Sequence, residues 1–177
     1  YRYYPHIVYL TETEMDKYRD ISHKLVKLYD QKKQVYRSPE AAKILLLERK
    51  RVIHKATNKL EKFQEIVQKI VNKRGKLDYT FVYVPEGDDE YGSNLLDIYM
   101  DWLDKSYPDI KLHHFTSSTD NRDLIMKNFK EGYIDTLFSM KCLDEGVDVP
   151  RAEVAIFCSS TGNPRQFIQR RGRVLRK

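Results

Sequence analysis

Cysteine is scarce in this chain: of 177 residues only Cys142 and Cys158 carry a thiol. Both fall in segments that read as strands or strand ends, and so few thiols fit a reducing, intracellular setting, cytoplasmic or, in a eukaryote, nuclear. No apolar run near the N-terminus has the length of a signal peptide or a membrane span, so neither secretion nor membrane anchoring is expected. Glycine (7) and proline (6) are too few for a fibrous or low-complexity chain. Also missing is any G-x-x-x-x-G-K-[ST] string, so nothing here can cradle a triphosphate or place a lysine on it. What is present is an ordinary globular composition, 41% hydrophobic and 33% charged. The length suits one medium domain with a helical appendage and is too short for two full α/β domains.

The net charge of +6 conceals segregation. Lys24 to Lys76 holds 16 basic and 5 acidic residues, Leu77 to Glu153 holds 7 and 17, and Val154 to Lys177 holds 6 and none. Any one charged block can be a solvated helix face. A basic helical block and a basic tail on either side of an acidic block point instead toward a polyanion.

Tyr3 to Leu10 reads as extended and runs into Thr11-Glu12-Thr13-Glu14, a capping box. Met15, Tyr18, Ile21, Leu25 and Leu28 then recur at helical spacing and predict a helix of about five turns. Ser38-Pro39 restarts a helix, with Ser as N-cap and Pro in the first turn. Its stripe of Leu45, Val52, Ala56, Leu60, Phe63, Val67 and Ile70 predicts one long helix ending at Gly75. Two long basic helices joined by a short turn make residues 1–76 an extended lead-in and helical arm.

From residue 77 the period changes. Tyr79 to Val84, Leu112 to Phe115, Ile134 to Ser139 and Val154 to Cys158 read as strands. Between them fall a helix capped by Ser93 and carrying Leu96, Ile98, Tyr99, Trp102 and Leu103, and another from about Asp120 to Lys130 stopped by Gly132. Strands separated by helices need crossover connections, so the expected fold class for 77–177 is α/β with a mostly parallel sheet flanked by helices. Ligands of such sheets gather at the carboxyl ends of the strands.

The strongest chemical signal is Gln169-Arg170-Arg171-Gly172-Arg173-Val174-Leu175-Arg176. Four arginines within seven positions, with no acidic neighbour, repel one another unless an anion compensates them. Guanidinium forks match phosphate oxygens, and Arg173 and Arg176 share a face if the segment is helical. A solvated basic C-terminal helix is the plainer alternative.

The string resembles motif VI of superfamily 2 helicases, Q-R-x-G-R-x-x-R, and every specified position matches. Upstream, S-M-K-C-L-D-E-G-V-D-V-P, from Ser139 to Pro150, resembles motif V. The nearest likeness is to the repair and restriction branch, similar to the xeroderma-type repair helicase and the motor subunits of restriction enzymes. The likeness covers about the last hundred residues; F-V-Y-V-P-E-G matches motif IV only as an apolar strand.

The resemblance implies the second RecA-like lobe of an ATP-dependent DNA helicase or translocase. Arg173 and Arg176 would be arginine fingers on the γ-phosphate, and Gln169 would sit near that phosphate or the attacking water. Arg170 would tie the motif to acidic residues of an N-terminal lobe. Gly146 would allow close backbone approach, Asp148 would accept from the ribose or bridge to motif VI, and Glu145 would help hold the loop. Ser139, and less securely Thr116, would donate to nucleic-acid phosphates. ATP with Mg2+ would be bound mainly by an N-terminal RecA-like lobe of the same protein. DNA, with RNA left open, and a nuclease or recognition subunit are the other implied partners. A start at Tyr1 without Met, and a stop one residue after Arg176, fit an excised fragment.

Plainer readings stand beside these. Asp144, Glu145 and Asp148 can cap turns. His113 and His114 lack a ligand cluster and suit a strand end. Trp102 and most tyrosines are core or surface aromatics, Cys142 is a small buried residue, and Asp88 to Tyr91 is a loop rather than a metal box. A second function class also remains: a nucleic-acid-binding module that grips phosphates with the basic arm and tail and has no motor. In a third, the arm's nearly heptad-spaced stripe makes it a coiled-coil scaffold for a protein partner.

Overall fold

The computed structural model describes residues 2–140, 151–158 and 172. One compact unit spans Pro5–Glu61, and residues 2–4 with the described residues from Lys62 onward make up the other. Among the described residues no helix is long and apolar enough to cross a membrane.

In the first unit, α1 (Glu12–Leu28) begins where the capping box predicts. The Glu14 amide donates to Thr11 Oγ1 at 3.2 Å, and the Thr11 amide donates to Glu14 Oε2 at 2.9 Å. The link to α2 (Pro39–His54) is a miniature antiparallel hairpin, β1 (Tyr29–Asp30) with β2 (Val35–Tyr36), rather than a bare turn. Asp30 Oδ1 shapes it by accepting from the amides of Lys32 and Lys33, and the rings of Tyr29 and Tyr36 meet edge-on at 5.3 Å. Ile21, Leu25, Ala42 and Val52 form the small core, with Leu10, Tyr18, Tyr36 and Leu45 packed around it.

The long helix expected from Ser38 to Gly75 is two helices, α2 and α3 (Asn58–Arg74). The apolar stripe runs through the break, so periodicity alone does not reveal it. Thr57 causes it: its amide and its Oγ1 both donate to Glu14 Oε1, at 2.8 and 2.9 Å, and Asn58 Nδ2 donates to the Tyr9 carbonyl at 3.0 Å. An amide committed to a carboxylate is lost to the helical carbonyl four residues back.

Glu14 thus starts one helix and interrupts another. Burial by itself would raise its carboxyl pKa, but the hydrogen bonds from Thr11 and Thr57 together outweigh that and hold it below its ordinary value. A depressed folded pKa means the stabilisation is complete above the unfolded value, ~4.3, and is lost as pH falls through the folded one. Glu14→Gln is expected to destabilise this unit by about 1 kcal/mol at neutral pH, with the gap from the parent protein closing as pH falls below the unfolded value of ~4.3. Denaturant unfolding across that range checks it.

The second unit is built on four parallel strands, β3 (Thr80–Tyr83), β4 (Leu112–Phe115), β5 (Thr136–Ser139) and β6 (Val154–Phe157), in the order β4-β5-β3-β6. Helices α4 (Leu95–Ser106) and α5 (Arg122–Glu131) make the first two crossovers. The N-cap of α4 is Asn94, one residue beyond the expected Ser93, because Asp89 Oδ1 takes the Ser93 amide while Asn94 Oδ1 accepts from Leu96. Gly132 stops α5 as predicted, at φ 84, and a Cβ there would fall 2.8 Å from the Tyr79 hydroxyl. Both the backbone angle and the close approach call for glycine.

One sheet face buries Phe81, Tyr83, Phe115 and Leu137 against Ile125 and Phe129 of α5. On the other, Phe63 of α3 meets the rings of Tyr99, Trp102 and Phe138 at 5.1, 5.7 and 6.1 Å. From Lys62 onward α3 therefore belongs to the sheet unit. The two compact units divide at Glu61, within α3.

Candidate functional site

The strand order makes a switch point at β3. The chain leaves β3 for the far edge at β4, returns through β5 to β3's near side, and then places β6 on its other side. Such a reversal opens a crevice at the carboxyl rim, where α/β sheets hold ligands. Register brings Phe115, Ser139, Tyr83 and Phe157 side by side along that rim.

Ser139 ends β5 fully buried, at 0% exposure, and its Oγ has no hydrogen-bond partner among the described residues. Leaving a hydroxyl buried and unpaired costs about 1–3 kcal/mol. Its burial also means that a phosphate reaches Ser139 only if the chain around it moves aside.

Thr116, just beyond β4, is also buried. Its amide donates to Thr119 Oγ1 at 2.8 Å, and its own hydroxyl lies 3.1 Å from Ser118 Oγ and 3.0 Å from Thr119 Oγ1. The hydroxyl that sequence singled out therefore sits against two other hydroxyls of its own turn. Ser117 and Ser118, both exposed, are the hydroxyls this loop shows to solvent. Asn121 follows at φ 52 as the N-cap of α5 without a side-chain cap bond, and Arg122 lays its guanidinium 4.8 Å from the centre of the Phe115 ring. A groove of about 430 Å³ runs beside this turn, lined by His113, His114, Ser118, Asn121 and Leu124 among others.

Sequence had flagged Thr116 but passed over Ser117, Ser118 and Arg122. The T-S-S-T-D-N run signals a turn, and nothing local signals the stacking of Arg122. Gln169, Arg170, Arg173, Arg176, Glu145, Gly146, Asp148 and Cys142 lie outside the described residues. Gly172, within the arginine string, is exposed, with open space where a Cβ would stand.

The remaining candidates resolve into structural roles. His113 Nδ1 donates to the His114 carbonyl at 2.7 Å, and the two rings lie 5.1 Å apart. Asp89 accepts from the amides of Tyr91 and Ser93, so the acidic run is a turn. Among the described residues no group of three or more His, Cys, Asp or Glu is placed to hold a metal. Tyr99, buried behind the sheet, has its phenol pushed well above its ordinary range by desolvation and, secondarily, by Cys158. It is a packing group rather than an acid or base.

Comparison with known proteins gives this geometry a family. The helicase conserved C-terminal domain matches residues 58–177. The DNA 3'-5' translocase XPB2 of Sulfurisphaera tokodaii is 30% identical over 160 residues, a match covering 89% of this chain and 31% of that protein. The ATP-dependent DNA helicase RecG of Thermotoga maritima is 30% identical over 125 residues, 66% of this chain and 15% of its own. The chain thus spans under a third of the length of each of these relatives. Among solved structures, the SWI2/SNF2 ATPase core domain of Sulfolobus solfataricus superposes with a TM-score of 0.62 at 13% identity, over 92% of this chain and 35% of that one. That likeness gives the fold: a RecA-like parallel sheet flanked by helices. With the family match extending over most of its length, the chain belongs to the helicases, as a helicase conserved C-terminal domain.

Proposed function

We propose that the chain is the second motor lobe of an ATP-dependent DNA helicase or translocase of the repair or restriction type. ATP with Mg2+ is held mainly by an N-terminal RecA-like lobe of the same protein. Closure of the two lobes brings Arg173 and Arg176 to the γ-phosphate, with Gln169 beside the attacking water and Arg170 tying the motif to acidic groups opposite. Glu145, Gly146 and Asp148 shape the motif V loop, and repeated closure moves the protein along DNA. A nuclease or recognition subunit is the further partner this reading carries.

One observation supports the reading: β5, where motif V begins, and β6, from which the chain runs on toward motif VI, end at the same rim of the sheet. Motif V departs from β5 at Ser139, and the chain toward motif VI departs from β6 after Phe157, with only β3 between those strands. That rim is where a parallel α/β sheet is expected to hold a nucleotide. The phosphate-contacting role falls to the rim hydroxyls. Ser139 donates once the rim opens, and the Thr116 turn presents Ser117 and Ser118 alongside the α5 N-terminus.

The test is turnover. The intact parent should hydrolyse ATP faster in the presence of DNA, and the 177-residue chain alone should hydrolyse none, for want of a phosphate-binding loop. Robust turnover by the isolated chain that Arg173→Ala abolishes would sink the division of labour between lobes.

A further inference from the structure

The break between α2 and α3 has no cause in its own residues. Lys55, Ala56 and Thr57 include neither glycine nor proline, and lysine and alanine are good helix formers. The apolar stripe passes straight through them: Val52, Ala56, Leu60 and Phe63 follow one another at helical spacings of four, four and three. Local propensity and pattern both ask for one continuous helix over 39–74.

What keeps the chain out of that helix is supplied from a distance. The Thr57 amide and Oγ1 donate to Glu14 Oε1 at 2.8 and 2.9 Å, and Asn58 Nδ2 donates to the Tyr9 carbonyl at 3.0 Å. All three bonds are exposed, so water can take the place of either partner. On the α2 side, Lys59 Nζ donates to the His54 carbonyl at 3.0 Å, the acceptor that a continuous helix would give to the Asn58 amide.

Each of these bonds therefore has a helical replacement. In an unbroken helix the Thr57 amide would turn to the Ile53 carbonyl, and the Asn58 amide to that of His54. Glu14 can release Thr57 without giving up the start of α1, because the Thr11 amide is held by its other oxygen, Oε2. The far side of the break is fixed: Phe63 is packed among Tyr99, Trp102 and Phe138.

We propose that residues 55–57 are a two-state joint with Glu14 as its latch: engaged, the carboxylate holds α2 and α3 apart, and released, it lets them join into a single helix. With Phe63 held in the sheet core, the change of state is taken up on the α2 side. The inference concerns the joint alone and stands apart from the motor-lobe reading.

Hydrogen–deuterium exchange of the intact parent, read by mass spectrometry on peptides covering 53–61, tests it. Glu14→Ala leaves the intrinsic exchange rates of those residues untouched. It should slow exchange at Ala56, Thr57 and Asn58 about tenfold, because the released amides enter a helix. Adding Ala56→Gly, which disfavours a helix interior, should return exchange to the parent rate or faster. Thr57→Ala removes the hydroxyl half of the latch and favours the helix, so it should slow exchange in the same sense; it carries the comparison should Glu14→Ala not fold. Unchanged or faster exchange in either variant, when folded, overturns the proposal, since 55–57 is then a fixed loop that Glu14 merely covers. Slow exchange that survives Ala56→Gly overturns it too, because the protection then does not come from a helix.

Discussion

Replacing Arg173 or Arg176 by alanine in the intact parent is expected to reduce ATP turnover by about a thousandfold or more while leaving DNA affinity largely in place. An arginine finger acts on charge that develops on the transferring phosphoryl group, so its removal falls on kcat rather than on binding of either ligand. The competing reading, a non-motor module that grips phosphates with the basic arm and tail, expects the reverse: affinity falls on neutralising those arginines, and there is no turnover to lose. Steady-state hydrolysis and DNA binding, measured on the same variants at one salt concentration, separate the two. Fixed salt matters because phosphate contacts release counterions and make every affinity salt-dependent.

Phe63→Ala should destabilise the sheet unit by about 3–5 kcal/mol. Phe63 is 1% exposed and sits among Tyr99, Trp102 and Phe138, so truncation leaves a cavity that three rings fixed by strand and helix cannot close. Trp102 is the chain's single tryptophan, so its fluorescence reports this cluster directly during denaturant unfolding. The α2 substitution Leu47→Ala, at an exposed position of the other unit, should move the same signal by less than about 0.5 kcal/mol. An equal shift for both would mean that Phe63 is not part of the sheet's core.

Phe63 also shows where sequence reading stopped. The stripe from Leu45 to Ile70 correctly announced buried helix faces, yet a period says that a face is covered and not by what. Its first half packs on α1, and from Lys62 it packs on the sheet. The helix break was invisible for a related reason, since the carboxylate that captures Thr57 lies 43 residues away. Local chemistry, by contrast, was legible. Thr11 with Glu14, Pro39 in the first turn of α2 and Gly132 after α5 each carry their signal within four residues.

At the site, the motif strings named candidates but not their surroundings. Ser139 reads as a strand-end hydroxyl, and only the register shows it flanked by Phe115 and Tyr83. Thr116 reads as a candidate phosphate donor, and only the folded turn shows its hydroxyl beside those of Ser118 and Thr119.

Among the described residues β4 is an edge strand of the sheet, which bears on how this chain behaves at high concentration. Alternate residues of a parallel strand bond toward the same neighbour, and Lys111 accepts from Thr136 of β5, so the carbonyls of Leu112 and His114 point away from the sheet. The imidazole of His113 folds over one of them. A four-residue border with half its outward acceptors already engaged is a poor template for another molecule's backbone, which guards a crowded solution against fibre-like stacking.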